Sequence, residues 1–555
     1  MRRMAVVGTL AAAVLAASAW AGAGTSAPRG GLAAGKASAS SVTISNESGT
    51  TWTCGFNPYN GSVNFLSFGT VYEELVFVNA LQSAKATPWL ASSYRWSNHN
   101  RTLTFTIRKG VRWSDGKPFG AADVVFSFDL LKKHPALDLN ADWSVLRSVT
   151  QVGASKVAFT FKTSAVPYFY YIAGATPIVA KHVWASVANP VTYTDAHPVG
   201  TGPYTMSKCS PQVIVFQKNP GYWQRGVPKI QTVYYPSFTS NDPANQELAD
   251  DQAQWGSQFI PNIKGYYLSK SPYHHIWFPP VANVSIFINL TDPVLSALPV
   301  RQAMAYAIDR ARVSQIGEYG YEPPSNQTGI VSPTYKSWLP AGAAKKFSYN
   351  PAKAIATLKA AGYKESGGVF HTPSGKPLSF TIVNIGGYSD WVASVQVIQS
   401  ELSAVGIKIQ PENLSSTTYD ADIYNGKFQL AYGAETGGPA PYYELRQLLY
   451  SKNTAPIGQT ASSNYERFSD RKVDALIDAY GATTSSALQH SIVRKLAAVM
   501  TSRIPVIPVT EQVDWYQYNT KSITGWVTPS NPFAQPAAYN TPDIGVMLLH
   551  LRPKG

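Results

Sequence analysis

The chain has only two cysteines, Cys54 and Cys209, in 555 residues. Two thiols so far apart cannot build a structural zinc site without histidine support. They leave a disulfide and a pair of buried thiols both open, because separation along the chain does not fix separation in space. Histidine is also scarce, at nine. His274 and His275 are adjacent, so on a strand they face opposite sides and cannot chelate together. There is no His-Glu-x-x-His, no Gly-x-Ser-x-Gly and no glycine-rich phosphate loop ending in lysine. A nucleophile and its base would have to come from distant segments, so no enzyme is expected, and neither is a metal or other cofactor. A secreted hydrolase remains the rival from another class. Charged residues make up only 14%. The net charge is +14, yet no basic run exceeds Lys132-Lys133 or Lys345-Lys346. A nucleic-acid footprint needs clustered charge, so that partner is excluded. Beyond the first segment no apolar stretch approaches the roughly 18 residues of a membrane span.

The residues that are abundant are apolar and aromatic. Hydrophobic residues make up 45% and aromatics 12%, with 14 Trp and 32 Tyr. That suffices for a large core, in a chain too long for one compact unit. Arg2 and Arg3 precede an apolar run from Met4 to Trp20, then small residues with Ala-x-Ala spacing up to Ala23. This is the pattern of a cleaved secretory leader over residues 1–23. An uncleaved anchor is its rival. No cysteine lies near the cleavage region, which excludes a thiol-linked lipid anchor. The Gly/Ala/Ser stretch over 24–41 reads as a flexible linker.

Further on, Leu103, Phe105 and Ile107 alternate with Thr104, Thr106 and Arg108, and Val157, Phe159 and Phe161 repeat that period of two. Asp250-Asp251 reads as a solvated face. The second half carries helical stripes. One is Val300, Met304, Ala307, Ile308 and Ala311. Another opens at Asn350-Pro351 and closes at Gly362. A third runs through Val395, Ile398 and Leu402 to Gly406, and Ser469 is expected to cap a fourth that stops at Gly481. Ile504 to Val509 is apolar but broken by two prolines, which suits a crossover better than a central strand. Helices alternating with short strands predict an α/β lobe.

Several strings carry a more specific signal. Trp89-Leu90-Ala91-Ser92-Ser93-Tyr94-Arg95-Trp96 leads into Leu103 to Phe119, with a turn at Gly110 and then Trp113-Ser114-Asp115-Gly116 as an exposed turn. Asp123 then sits in the first turn of a helix, near its positive end. Gly200-Thr201-Gly202-Pro203-Tyr204, Asn219-Pro220-Gly221-Tyr222-Trp223, Val300 to Arg310 and Tyr349-Asn350-Pro351 follow in order. Together they resemble the family 5 extracellular solute-binding proteins, of the oligopeptide- and dipeptide-binding type, over about residues 50–520. Two departures stand out. Leu248 to Ala253 lacks the family's Gly-Glu-x-Asp pattern, and there is no lipobox cysteine.

The resemblance implies an α/β, type II periplasmic-binding-protein-like fold of two lobes with a hinge. Lobe 1 would span 42–283 with an inserted subdomain at about 80–196. Lobe 2 would span 284–508, and 509–555 would return to lobe 1. It implies a monomer outside the cytoplasm that captures short oligopeptides in the cleft and passes them to an ABC permease. Glu435, four residues before Pro439, matches the carboxylate that holds a ligand ammonium in peptide-binding members. Phe56, Asn57, Tyr59, Asp390, Trp391, Tyr432, Tyr442 and Tyr443 resemble the oligosaccharide-binding branch, where rings stack on sugar faces. Asn283 completes the expected ligand-binding set.

Overall fold

The computed structural model describes residues 40–46, 49–332, 334–339 and 341–554. The expected leader, and all of the expected linker before Ser40, lie outside them. Ser41, the linker's last expected residue, already belongs to a buried strand.

Three sheets organise the chain. The first has seven strands, in the spatial order His274–Ile276, Gln517–Asn519, Trp255–Gly256, Ser41–Ser45, Thr232–Pro236, Val213–Lys218 and Tyr204–Ser210. The second has five, ordered Lys408–Leu414, Ser379–Ile385, Leu430–Ala434, Pro280–Ile288 and Val506–Val513. The third is an antiparallel sheet of Ala91–Ser97, Thr102–Ile107, Lys156–Phe161 and Leu146–Val152. Its alternating residues are the predicted ones: Leu103, Phe105, Ile107, Val157, Phe159 and Phe161 are all buried. Burying one side of each strand drives its register, because a slip by one residue would turn the apolar set outward.

The chain crosses between the first and second sheets twice. It enters the second sheet at Pro280 and leaves it after Val513, and these two residues pair across the strands. Asp514 N donates to Pro279 O at 2.9 Å, and Trp277 N donates to Tyr516 O at 3.0 Å. The two connections are therefore bonded to each other. One face of the second sheet, with Ile286, Leu430, Tyr432 and Val509, packs under the helices Leu298–Ala307 and Ser389–Ala404. The opposite face, with Phe287, Val383 and Ala431, shares a core with the third sheet and the helix Pro441–Leu449.

Local readings were mostly sound, with five corrections. The stripe from Val300 to Ala311 is two helices, Leu298–Ala307 and Arg310–Gly317, because the Asp309 carboxylate accepts from the Ala311 and Arg312 amides and starts a new one. Asp470, not Ser469, caps the helix Arg471–Gly481. Val506–Val513 is a strand despite Pro508, tolerated because it lies at the edge of its sheet. Trp113 is buried within its turn, not exposed. Asp251 is likewise no idle surface charge. It accepts from His274 Nε2 and Asn519 Nδ2, each at 2.8 Å, and pairs with Lys521 at 2.9 Å. Gly200 is forced by contact: a Cβ there would lie 1.8 Å from Val71 O. Cys54 and Cys209 form a disulfide that ties the loop before Phe56 to the strand Tyr204–Ser210.

Candidate functional site

Three of the predicted residues are committed to the interior. Asn57 Nδ2 donates to Pro190 O (3.1 Å) and Tyr193 O (2.8 Å), while its Oδ1 accepts from Tyr59 N. Tyr59 donates to Pro177 O at 2.8 Å and sets its ring edge-on to Trp184. Phe56 packs edge-on against Phe216 with no exposed surface. Their pattern, an Asn between aromatics, looks like a sugar platform in sequence. Burial spends both the rings and the amide on loop packing.

Glu435, Asn283 and a residue not anticipated, Glu444, form one network. Glu435 follows the strand Leu430–Ala434, and its amide donates to Asn283 O at 2.9 Å. Ser285 Oγ donates to Glu435 Oε1. Asn283 Nδ2 donates to Glu444 Oε1 and to Gly329 O, and its Oδ1 accepts from Ser325. Burial, then repulsion from Glu435, pushes the Glu444 carboxyl well above the usual range. Burial likewise raises the pKa of Glu435, its neighbour in this pair. Glu435 Oε2 has no hydrogen-bond partner.

Asp390 and Trp391 open the helix Ser389–Ala404, beside the seam between the two sheets. There Ser389 N and Oγ donate to Asn241 Oδ1 at 2.7 and 3.1 Å, and Asn241 belongs to the portion carrying the first sheet. Trp391 is half-buried and ringed by Tyr388, Tyr419 and Tyr432 at 5.1, 6.2 and 5.7 Å. Asp390 is buried with Oδ1 unpartnered, and burial lifts its pKa to about 7. Glu318 and Glu322 lie within electrostatic reach of it and are raised by the same cause, Glu322 to about 8. Asp514, just past the second crossing, is raised to about 8. Desolvation dominates every one of these shifts.

Tyr442 and Tyr443 sit where the second sheet's helices meet the third sheet's connections. Tyr442 stacks on Tyr480 at 3.8 Å and is fully covered. Tyr443 donates to Pro167 O at 2.8 Å and packs against Tyr170 and Tyr171. One turn on, Arg446 holds its guanidinium 4.9 Å from the Tyr171 ring centre and 5.2 Å from that of Tyr168. Its Nη2 donates to Asn140 O at 3.2 Å. These residues fasten the two portions to each other.

The sequence reading missed Glu444, Glu466, Glu318, Glu322, Asp514 and Arg446. One signal was available: Glu444 and Arg446 fall inside the nine-residue stretch Pro441–Leu449 that also supplied Tyr442 and Tyr443. Among the described residues no three His, Cys, Asp or Glu side chains converge to hold a metal ion. No described helix is long and apolar enough to cross a membrane.

Comparison with known proteins decides the family. The model of the bacterial extracellular solute-binding proteins, family 5, matches residues 85–456. The chain belongs to this family. The family 5 protein is 27% identical over 466 residues to the glutathione-binding protein GsiB of Salmonella typhi, covering 80% of this chain and 84% of that one. Its fold matches a mannohexaose-bound oligopeptide-binding protein of an ABC transporter from Thermotoga maritima, with TM-score 0.86 and 27% identity over 93% of this chain and 99% of that one. AppA of Bacillus subtilis, in complex with a nonapeptide, has TM-score 0.79 at 18% identity over 93% and 99%, and shares the fold.

Proposed function

We propose that this family 5 protein is the extracytoplasmic substrate-binding component of an ABC importer. It takes a short oligosaccharide between the portions carrying the first and second sheets, and releases it unchanged to a permease. The residues between the two crossings form one lobe, those before and after form the other, and the paired crossings act as the hinge.

The observation that carries the ligand class is the chemistry left over at the seam. Asp390 Oδ1, Glu435 Oε2, Glu511 Oε2 and both oxygens of Glu466 are buried acceptors without partners. A ligand rich in hydroxyl donors satisfies them, and unpaired buried acceptors otherwise cost about 1–3 kcal/mol each. Trp391 and Tyr465 stand near them with part of each ring exposed. Such rings suit the C–H faces of sugars. A peptide also brings a terminal carboxylate, which wants a free cation. The buried arginines nearby are largely engaged: Arg310 on Pro508 O and Gln327, and Arg446 on tyrosine rings and Asn140 O, with only its Nε unpartnered. The mannohexaose carried by the Thermotoga maritima relative supports the same reading.

The test is a calorimetric titration of the mature protein with mannohexaose, cellohexaose and short peptides, with the ligand recovered afterwards and sized. An oligosaccharide should bind and return intact, and Trp391→Ala should weaken it about tenfold or more. Binding of peptides alone would replace the ligand class. Steady release of shortened sugar would make the protein a hydrolase instead.

A further inference from the structure

A second cluster, built on other elements but within electrostatic reach of Glu435, lies where the helix Ser416–Asn425 meets the loop holding Tyr465 and Glu466. Glu466 has no exposed surface, and neither of its carboxylate oxygens has a hydrogen-bond partner. Its neighbour Arg467 does not neutralise it by contact. That guanidinium donates to three carbonyls instead: Ile423 O at 3.2 Å, Tyr465 O at 2.6 Å and Tyr424 O at 2.8 Å. The Tyr465 ring lies within electrostatic reach of both Glu466 and Asp420. Around it stand Tyr424 at 5.5 Å and Phe287 at 5.8 Å. Asp420 is half-buried, and burial lifts its pKa to about 6. The portion carrying the first sheet covers the cluster from the other side. Ser62 bonds the Tyr424 hydroxyl, and a Cβ on Gly61 would lie 3.9 Å from that oxygen.

Two carboxyls and three aromatic rings, against the single guanidinium of Arg467 that three carbonyls hold within electrostatic reach of Glu466, make a receptor for positive charge. Among the described residues no three His, Cys, Asp or Glu side chains converge here to hold a metal ion. An organic ammonium fits both halves of the site. Its N–H groups form charge-assisted bonds to the Glu466 carboxylate, and its charge sits well against tyrosine faces. Because the Tyr424 and Tyr465 rings are half-exposed while Phe287 and the carboxylate are covered, the ammonium would arrive on a larger flat body. We propose that Glu466, Asp420, Tyr424 and Tyr465 form a subsite for an amino group on the bound sugar, so that the preferred substrate is an amino-sugar oligomer with free amines. This rests on the oligosaccharide reading above and narrows it.

The experiment compares three probes on the full mature chain: a glucosamine hexamer, its fully N-acetylated form, and mannohexaose. Acetylation removes the charge and leaves the ring, so it isolates the ammonium. The free amine should bind about tenfold or more tighter than the acetylated form. Glu466→Gln should erase that preference by weakening the free-amine hexamer about tenfold more than either the acetylated hexamer or mannohexaose. Asp420→Asn, at a half-exposed site, serves as a second variant and should reduce the preference in the same direction. Melting curves and circular dichroism of both variants exclude misfolding as the cause. If all three probes bind alike, or if Glu466→Gln weakens them alike, the ammonium subsite is overturned and the oligosaccharide reading stands. If none of the three binds, both fall.

Discussion

Arg446 shows what a single side chain does in this molecule. It is a buried cation carried by the portion with the second sheet, inserted among Tyr168 and Tyr171 of the other portion. Asp138 and Asp142 also lie within electrostatic reach of it, and both are raised by burial. Removing the charge leaves two buried carboxyls with their hydrogen bonds but without their cation, and buried groups that lose their counter-charge are costly. Arg446→Met keeps most of the volume and deletes the charge. It should lower the unfolding free energy by about 3 kcal/mol, read as a shifted urea midpoint. An unchanged midpoint would mean that the aromatic cage does not depend on the cation. Arg446 escaped the sequence reading because its value lies in partners some 280–300 positions away. The prominence of Phe56, Asn57 and Tyr59 misled for the converse reason. Residue type suggests chemistry, but only packing tells whether the chemistry faces a ligand or the core.

At the scale of elements, the crossing strands carry an electrostatic load. Thr510 Oγ1 donates to Glu322 Oε2 at 2.6 Å, and Tyr539 donates to Val513 O, so the carboxyl cluster rests on the strand Val506–Val513 itself. Burial holds Asp390 at about 7 and Glu322 and Asp514 at about 8. Unfolded, such groups titrate near 4. Between these values the folded state binds more protons than the unfolded one, so stability falls as pH rises from about 4 to about 8. The melting temperature of the ligand-free protein should therefore be higher at pH 5 than at pH 8, at fixed ionic strength. A melting temperature that rises over this range would show these carboxyls to be hydrated or paired. Elements themselves were legible. The period of two in Leu103, Phe105 and Ile107 and the Asn350-Pro351 cap both appear as read. The break at Asp309 was not, because the apolar stripe continues through it and only the side-chain bonds to the backbone reveal the new start. The strand through Pro508 was hidden in the same way, since its edge position is set by the sheet and not by its own residues.

At the scale of the whole molecule, the family and its α/β architecture were legible because short strings from Trp89 to Gly362 occur in a fixed order that composition cannot mimic. The acidic seam was not, since its members lie between Glu318 and Asp514 and meet only when the chain crosses twice. Several bonds across the seam, from Ser389 to Asn241, from Tyr443 to Pro167 and from Ile263 N to Tyr321 Oη, describe a clasped form. None is covalent, and bonds of this kind are each weak enough to break reversibly. On the proposed clamp, opening turns about the paired connections, and a ligand that bonds both sides at once favours the clasped form over the open one. Small-angle scattering of the mature protein, with and without saturating oligosaccharide, tests this most directly. Two portions that clamp a guest predict a smaller radius of gyration when it is bound, and recovery of the larger value when it is dialysed away. Identical scattering at saturation, with binding confirmed in the same sample, would contradict the clamp.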